Sequence, residues 1–376
     1  MSLLDLFRPN RKAEQRSTPI EPVLSDMWFS RGPDSPEALA TVLACVNAIS
    51  SSVASLNAYV YNTSGNTRTE APNHPVSRLI VQPNDYQTWP DLVEWILASV
   101  LLSGNAICTI EYDGAGRPTA LKPVPFQCVQ IDRLASGRLR YTVVAWQGVT
   151  KTYLDDEVFH LKDRSDDGLV GRSRLSRARP VFTGASALQD YSLNMWQNQA
   201  TPSGIITFEA GTRPGDTAIN DLKDQVKQKF SGTSNARGVM VLGSGMKWQS
   251  IGISPEDAEA LESRKFSVQE LCRVYGVPPP IVQDYSNNTF TNAAQASLWF
   301  ATNTLMPWVR KIEAEFSRAI FGRSSPFELH IDLSSLMRGD YATRWQSYGV
   351  ANQNQILTVN EIREQEGYNP KSEDLT

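Results

Sequence analysis

The chain has 376 residues, 41% of them hydrophobic and 20% charged, with a formal net charge of −4 and a pI of about 5.6. That composition excludes a disordered chain, and the length suits roughly two or three domains. No apolar run approaches the ~20 residues of a membrane helix, and a mildly acidic chain is not built to hold nucleic acid tightly over a large surface.

Residues 1–34 carry Pro9, Pro19, Pro22 and Pro33 without periodicity and read as an extended arm. Leu3, Leu4, Leu6 and Phe7 come before Arg8, Arg11 and Lys12. A secretory signal has the opposite order, so synthesis and assembly in a cytoplasm are expected. Ser35-Pro36-Glu37 predicts a helix start, with serine as N-cap and proline at the first helical position. Leu39, Val42, Val46, Ile49, Val53 and Leu56 then repeat at helical spacing up to Asn57. Tyr59–Tyr61 reads as a short strand. Thr88-Trp89-Pro90-Asp91 opens a second helix that stops at Gly104.

There the period changes from helical to two. Ala106–Tyr112 and Thr119–Val124 flank Asp113-Gly114-Ala115-Gly116, a hairpin signal. Phe126–Ile131, Leu139–Trp146, Val149–Tyr153 and Val158–Lys162 continue as an expected antiparallel meander. A helix is predicted over about 181–198, a strand over Ile205–Phe208, and a helix over 214–230. Gly238–Leu242 and Met246–Ile253, joined by Gly243-Ser244-Gly245, read as a small hairpin. Ser254-Pro255-Glu256-Asp257 is a strong helix start, and that helix ends at Gly276 before Pro278-Pro279-Pro280. After a polar loop, Thr291 to Ile320 predicts one long helix, kinked at Pro307. A strand at Phe327–Leu333 and two helical stretches follow. Helices flanking a mainly antiparallel sheet define the α+β class.

The chemistry-bearing residues do not assemble into a recognisable catalytic motif. His74, His160 and His330 are far apart and lie in no HExxH pattern. Cys45, Cys108, Cys128 and Cys272 form no CxxC pair, so buried free thiols are expected. Gly243-Ser244-Gly245-Met246-Lys247 is followed by Trp248, which fails the phosphate-loop pattern. Asp155-Asp156-Glu157 and Asp166-Asp167 read as solvated turns. Arg164, Arg172, Arg174, Arg177 and Arg179 form the one basic concentration. They suit phosphate contact, solvation of a loop, or pairing with acids of a neighbouring subunit; the last two are the favoured readings. A hydrolase or nuclease with a site gathered from distant residues is the alternative class. No cofactor and no metal are expected.

Five blocks in order carry a resemblance: Asp167-Gly168-Leu169-Val170-Gly171-Arg172-Ser173, Asn198-Gln199-Ala200-Thr201-Pro202-Ser203-Gly204, Gly245-Met246-Lys247-Trp248 with Ser254-Pro255-Glu256-Asp257, Glu262-Ser263-Arg264-Lys265-Phe266 running to Pro279, and Leu305-Met306-Pro307-Trp308. Together they resemble the HK97-type portal proteins of tailed bacteriophages. The resemblance implies an extended arm (1–30), an α+β wing (31–213), stem helices (214–230 and 255–277) and a small β-containing clip (231–254). It further implies a tunnel-loop region (278–292) and a long helix, wing return and short C-terminal crown region (293–376).

The implied function is a non-catalytic ring of about twelve subunits, closed by heterologous contacts, at one capsid vertex of the virion. Double-stranded DNA would pass through it during packaging and ejection. The implied partners are the large terminase subunit, a head–tail connector or adaptor, and the major capsid and scaffold proteins, with no membrane. Ser286, Asn287, Asn288, Thr289 and Phe290 would form the tunnel loop. Arg237, Gly243, Ser244, Gly245 and Lys247 would form the docking clip, and Arg172, Arg174 and Arg177 are candidates for contacts between subunits.

Overall fold

The computed structural model describes residues 36–64, 68–144, 150–198, 204–208, 246–250, 255–285, 290–322, 324–334, 341–366, 368–369 and 371. The chain divides into two contact units, Pro180–Val268 and the remainder on either side of it. The arm, the predicted helix over 214–230, most of the clip segment and Ser286–Thr289 lie outside the described residues.

In the larger unit, helices α1 (Ala40–Ala54) and α2 (Trp89–Ser103) pack against each other. Val42, Cys45, Val46, Ile49 and Val53 supply the buried stripe of α1, at the spacing of one helical face. The α-helix begins later than the Ser-Pro signal suggests. Pro36–Ala38 forms a 3-10 turn, closed by Leu39 N–H donating to Pro36 O at 3.2 Å, and Leu39 is extended (ψ 111°) before the helix resumes. α2 starts with a capping box, in which Asp91 Oδ2 accepts from the Thr88 N–H at 3.0 Å. Its end at Gly104 needs the left-handed region, φ +86°.

The chain leaves Gly104 directly into β3 (Asn105–Tyr112), whose first six residues are all buried. β3 is the centre of one sheet, between β4 (Pro118–Val124) and β8 (Val158–Lys162). β5 (Val129–Arg133), β6 (Leu139–Val144) and β7 (Thr150–Leu154) form another sheet in sequential order. The expected single meander is therefore two sheets. A 3-10 turn at Phe126–Cys128 interrupts the extended chain between them, and β8 returns to β3 rather than pairing with β7. A third sheet places β1 (Ala58–Asn62) between β11 (Phe327–Ile331) and β2 (Thr69–Glu70). β1 and β11 join segments from opposite ends of the sequence.

The long helix is present but not uniform. α6 (Phe290–Trp299) and α7 (Met306–Phe316) are joined by a π-helical stretch, Phe300–Leu305, and α7 continues into a second one, Ser317–Phe321. The irregularity falls one turn before Pro307, which has no N–H to return to a carbonyl of that turn; widening the turn accommodates it. Trp308, Val309, Ile312 and Phe316 form the buried stripe of α7, and Phe316 meets Trp89 edge to face at 5.9 Å. Helices α8 (Tyr341–Gln353) and α9 (Val359–Gln365) close the chain.

In the smaller unit, β9 (Gly204–Phe208) pairs antiparallel with β10 (Met246–Ser250), Ile206 opposite Trp248. Residues 238–242, the expected hairpin partner of β10, lie outside the described residues; the partner observed is β9. Helix α4 (Arg179–Asn198) precedes β9. Helix α5 (Pro255–Tyr275) begins in the smaller unit and ends in the larger one, stopping at Gly276 with φ +68°.

Candidate functional site

Of the expected tunnel-loop residues, Ser286, Asn287, Asn288 and Thr289 lie outside the described residues, and Phe290 opens α6. Arg237, Gly243, Ser244 and Gly245 likewise lie outside them, while Lys247 sits in β10 opposite Thr207. The arginine candidates are described, and with partners from distant parts of the chain they build a joint around the end of α5.

The joint starts from two glycines. An added Cβ on Gly171 would collide with the Gly104 carbonyl oxygen, and one on Gly104 would lie 2.6 Å from Ser173 N. Only glycine lets these two backbones pass so closely. Asn105 clamps the approach: its Oδ1 accepts from Gly171 N at 2.8 Å, and its Nδ2 donates to Gly171 O at 2.9 Å. Ser173 Oγ donates to Leu102 O at 2.8 Å and accepts from Leu175 N, so it caps the short helix α3 (Arg174–Arg177) while tying it to α2.

Arg174 is thereby aimed at three acceptors. Its Nε is 2.8 Å from Asp163 Oδ2, and its Nη1 donates to Tyr275 O at 2.8 Å and to Val274 O at 3.3 Å. The last two are carbonyls at the end of α5, where the helix dipole is negative and cations are favoured. The guanidinium also lies over Trp308, 5.4 Å from the ring centroid, and Lys311 Nζ approaches the same ring at 4.9 Å. Burial pushes the Lys311 amine below its usual range, and Asp163 partly offsets that. Asp163, Arg174, Arg273, Trp299, Trp308 and Lys311 border a cleft of about 360 Å³ at this place.

Arg172 and Arg177 both pair with Asp166, at 3.2 and 2.6 Å. These hydrogen bonds, led by that of Arg177, hold the Asp166 carboxyl below the usual carboxylate range. Asp167 turns the loop by accepting from the N–H groups of Leu169 and Val170, at 2.8 and 3.0 Å, and its pKa falls to about 2. All three arginine candidates are thus engaged within their own chain. Arg174 is the most enclosed against its acid, whereas the Arg172 side chain is 51% exposed.

The histidines do not meet. His74 stacks near Phe327, with centroids 4.2 Å apart, and Glu313 Oε1 lies 3.1 Å from His330 Nδ1. His160 is buried, with Nδ1 3.0 Å from Tyr141 Oη and Nε2 3.0 Å from Asn105 Oδ1. Asn105 Oδ1 already accepts from Gly171 N, so it also accepts from His160 Nε2–H, and Nδ1 accepts the Tyr141 hydroxyl proton. Burial holds the ring neutral, with its pKa down to about 3. The acidic turn 155–157 is engaged as well: Arg138 pairs with Asp155 and Asp156, at 2.7 and 2.5 Å, and Glu157 accepts from Leu154 N. Among the described residues no group of three or more metal-ligating side chains converges.

The sequence points to the arginines, and to Trp308 only as part of the Leu305-Met306-Pro307-Trp308 block, but not to Asp163 or Asn105. The only written signal for Asn105 is its place immediately after the glycine that ends α2.

This arrangement of helices and sheets is similar to that of two solved structures. The neck of the native gene transfer agent particle, computed with C12 symmetry, aligns with a TM-score of 0.64 at 22% identity, over 92% of this chain and 96% of that one. An HK97-family phage portal protein from Corynebacterium diphtheriae aligns with a TM-score of 0.55 at 18% identity, over 80% of this chain and 95% of that one. The class defined is therefore the portal fold. The family model for phage portal proteins matches residues 40–367, and the chain belongs to that family. It is similar to the portal protein of Enterobacteria phage HK97, 28% identical over 343 residues, covering 88% of this chain and 79% of that protein. It is also similar to the probable portal protein of Streptomyces phage phiC31, 26% identical over 368 residues and covering 90% and 76%.

Proposed function

We propose that this chain is the subunit of a ring of about twelve copies, closed by one heterologous interface, that forms the DNA channel at a single vertex of a phage capsid. The observation that carries the reading is the portal-family match across residues 40–367. The ring is a conduit and a docking surface, and is not itself catalytic. Packaging is driven by a terminase seated on the clip, around Arg237, Gly243, Ser244, Gly245 and Lys247. A head–tail connector later occupies the same end, and capsid and scaffold proteins surround the wing. Assembly takes place in the host cytoplasm, and the finished ring stays in the virion.

The joint has a mechanical part in this scheme. Arg174 and the Gly104–Gly171 crossing fasten the last turn of α5, the expected stem helix, to the sheet-bearing body, so a load on that helix is transmitted to the body instead of fraying the helix end. Among the three arginines, Arg172 is the best placed to reach a neighbouring subunit, because it is half exposed at the rim of its loop.

Ser286–Thr289 offer neutral hydrogen-bonding groups and no fixed positive charge. A loop of that kind touches a moving phosphate backbone without trapping it. Replacing Asn287 and Asn288 with lysine is expected to lower the yield of DNA-filled heads in a packaging assay while leaving ring assembly intact. Normal filling by the double variant would remove this loop from the channel wall.

A further inference from the structure

The cleft beside the joint lies wholly in the larger unit, where the last turn of α5 meets the end of α6 and the start of α7. Its lining is unbalanced in charge. Arg174, Arg273 and Lys311 border it with Asp163 as the one carboxylate, and Asp163 is already committed to Arg174 at 2.8 Å. Lys311 Nζ donates to Lys162 O at 3.0 Å and, among the described residues, enters no ion pair. An ammonium carries three donors, so hydrogen-bonding capacity remains. Burial presses the Lys311 amine down, Asp163 offsets part of that, and the Arg174 charge adds to it. A further carboxylate brought to Lys311 would favour its charged form.

Beside the cations the wall is aromatic and open. Trp299 is 49% exposed and its neighbour Leu298 50%, whereas Trp308, beneath Arg174 and Lys311, is buried. Tryptophan and arginine side by side are enriched at the centres of protein interfaces. A free inorganic anion would answer the charge but leave Leu298 and Trp299 in water. A polypeptide that carries an acidic side chain among apolar ones answers both.

We infer that the cleft receives an aspartate or glutamate side chain from the next copy of this chain, with apolar neighbours of that side chain covering Leu298 and Trp299. Charge complementarity selects a second copy. The chain has 40 acidic against 36 basic residues, so its copies present carboxylates in excess. Glu70, Asp85 and Glu94 are exposed and form no ion pair among the described residues, so such carboxylates stand outside the cleft. The cleft does not meet its own counterpart, because like charges would then face each other. The contact therefore joins two different surfaces, as a heterologous interface does. The site is complete only when the neighbouring copy supplies the acid. This inference rests on the ring reading and names a chemical contact that closes the ring.

The test uses the full chain in two batches, one of them grown on heavy nitrogen, assembled as a mixture and treated with a water-soluble carbodiimide. That reagent couples an amine to a carboxylate only where the two are in contact. After digestion, Lys311 is expected in an isopeptide link to an aspartate- or glutamate-containing peptide, and linked pairs with one heavy and one light partner are expected among them. Only two different copies can give such pairs. Lys311→Gln should lose the link and raise the concentration needed for assembly by about tenfold. Lys311→Arg should restore assembly with the link still absent. The urea midpoint of each variant separates a lost contact from lost folding. Rings whose Lys311 is unlinked, or linked only within one copy, would overturn the proposal and leave the ring reading standing. A chain that stays monomeric would remove the ring reading and the proposal with it.

Discussion

Arg174 touches Asp163, two helix-end carbonyls and the face of Trp308, with little of its charge in water. Removing one member of such a pair leaves the other buried and uncompensated, which costs more than the pair itself contributes. Arg174→Ala is expected to lower stability by about 3 kcal/mol, read as an earlier urea midpoint with an unchanged slope. Lysine at the same position recovers the charge but not the forked geometry that reaches Asp163 and the α5 carbonyls together. His160 makes a different prediction. Folded, it stays neutral down to a pKa of about 3; unfolded, it protonates near 6.5. Between those values the unfolded chain binds the extra proton. The stability due to the neutral ring is therefore complete above about pH 6.5 and is lost progressively as pH falls towards 3. At pH 5 the loss is about 2 kcal/mol relative to pH 7. His74, also shifted down by burial, adds in the same direction. Unfolding free energies measured from pH 7 to pH 5 should fall in wild type and fall less in His160→Gln. Equal slopes in the two proteins would mean that His160 is not held neutral.

At the scale of elements, the same histidine links β8 to the long helix. Its backbone N–H donates to Glu315 Oε1 at 2.8 Å, and Glu315 is also paired with Arg318, which donates to the carbonyls of Asp155 and Val158 at 2.9 Å each. Glu315→Ala strands that N–H and frees Arg318, for an expected cost of about 2 kcal/mol. Hydrogen exchange should be accelerated first along β8, and exchange spread evenly over the protein would argue against a local role.

Most helices and strands were legible from periodicity and caps. The α2 start at Thr88 and stop at Gly104, the β3–β4 hairpin and the α5 start at Pro255 all carry local signals that the structure repeats. What was not legible is pairing at a distance. Nothing near Val158 says that β8 returns to β3, and nothing near Met246 names β9 as its neighbour. The π-helical turns were hidden for another reason. Pro307 announces a disturbance, but whether it becomes a kink or a widened turn depends on what packs against the helix. The joint was half legible: the arginines stood out as a cluster, while Asp163, Asn105 and Trp308 become partners only when three separate segments fold together.

At the scale of the molecule, the chain has the portal fold and belongs to the portal family. A composition of mixed charge with a small net negative balance suits a channel whose contents must slide. In the proposed ring, heterologous contacts repeat around a closed circle, so each copy presents one half of every subunit interface. The central claim is tested most directly by the native mass of the full chain, taken together with electron images of the same sample. The expected result is rings of about twelve copies with a central hole, closed by rotation about a single axis. A monomer or a two-fold dimer at every concentration tried would contradict it.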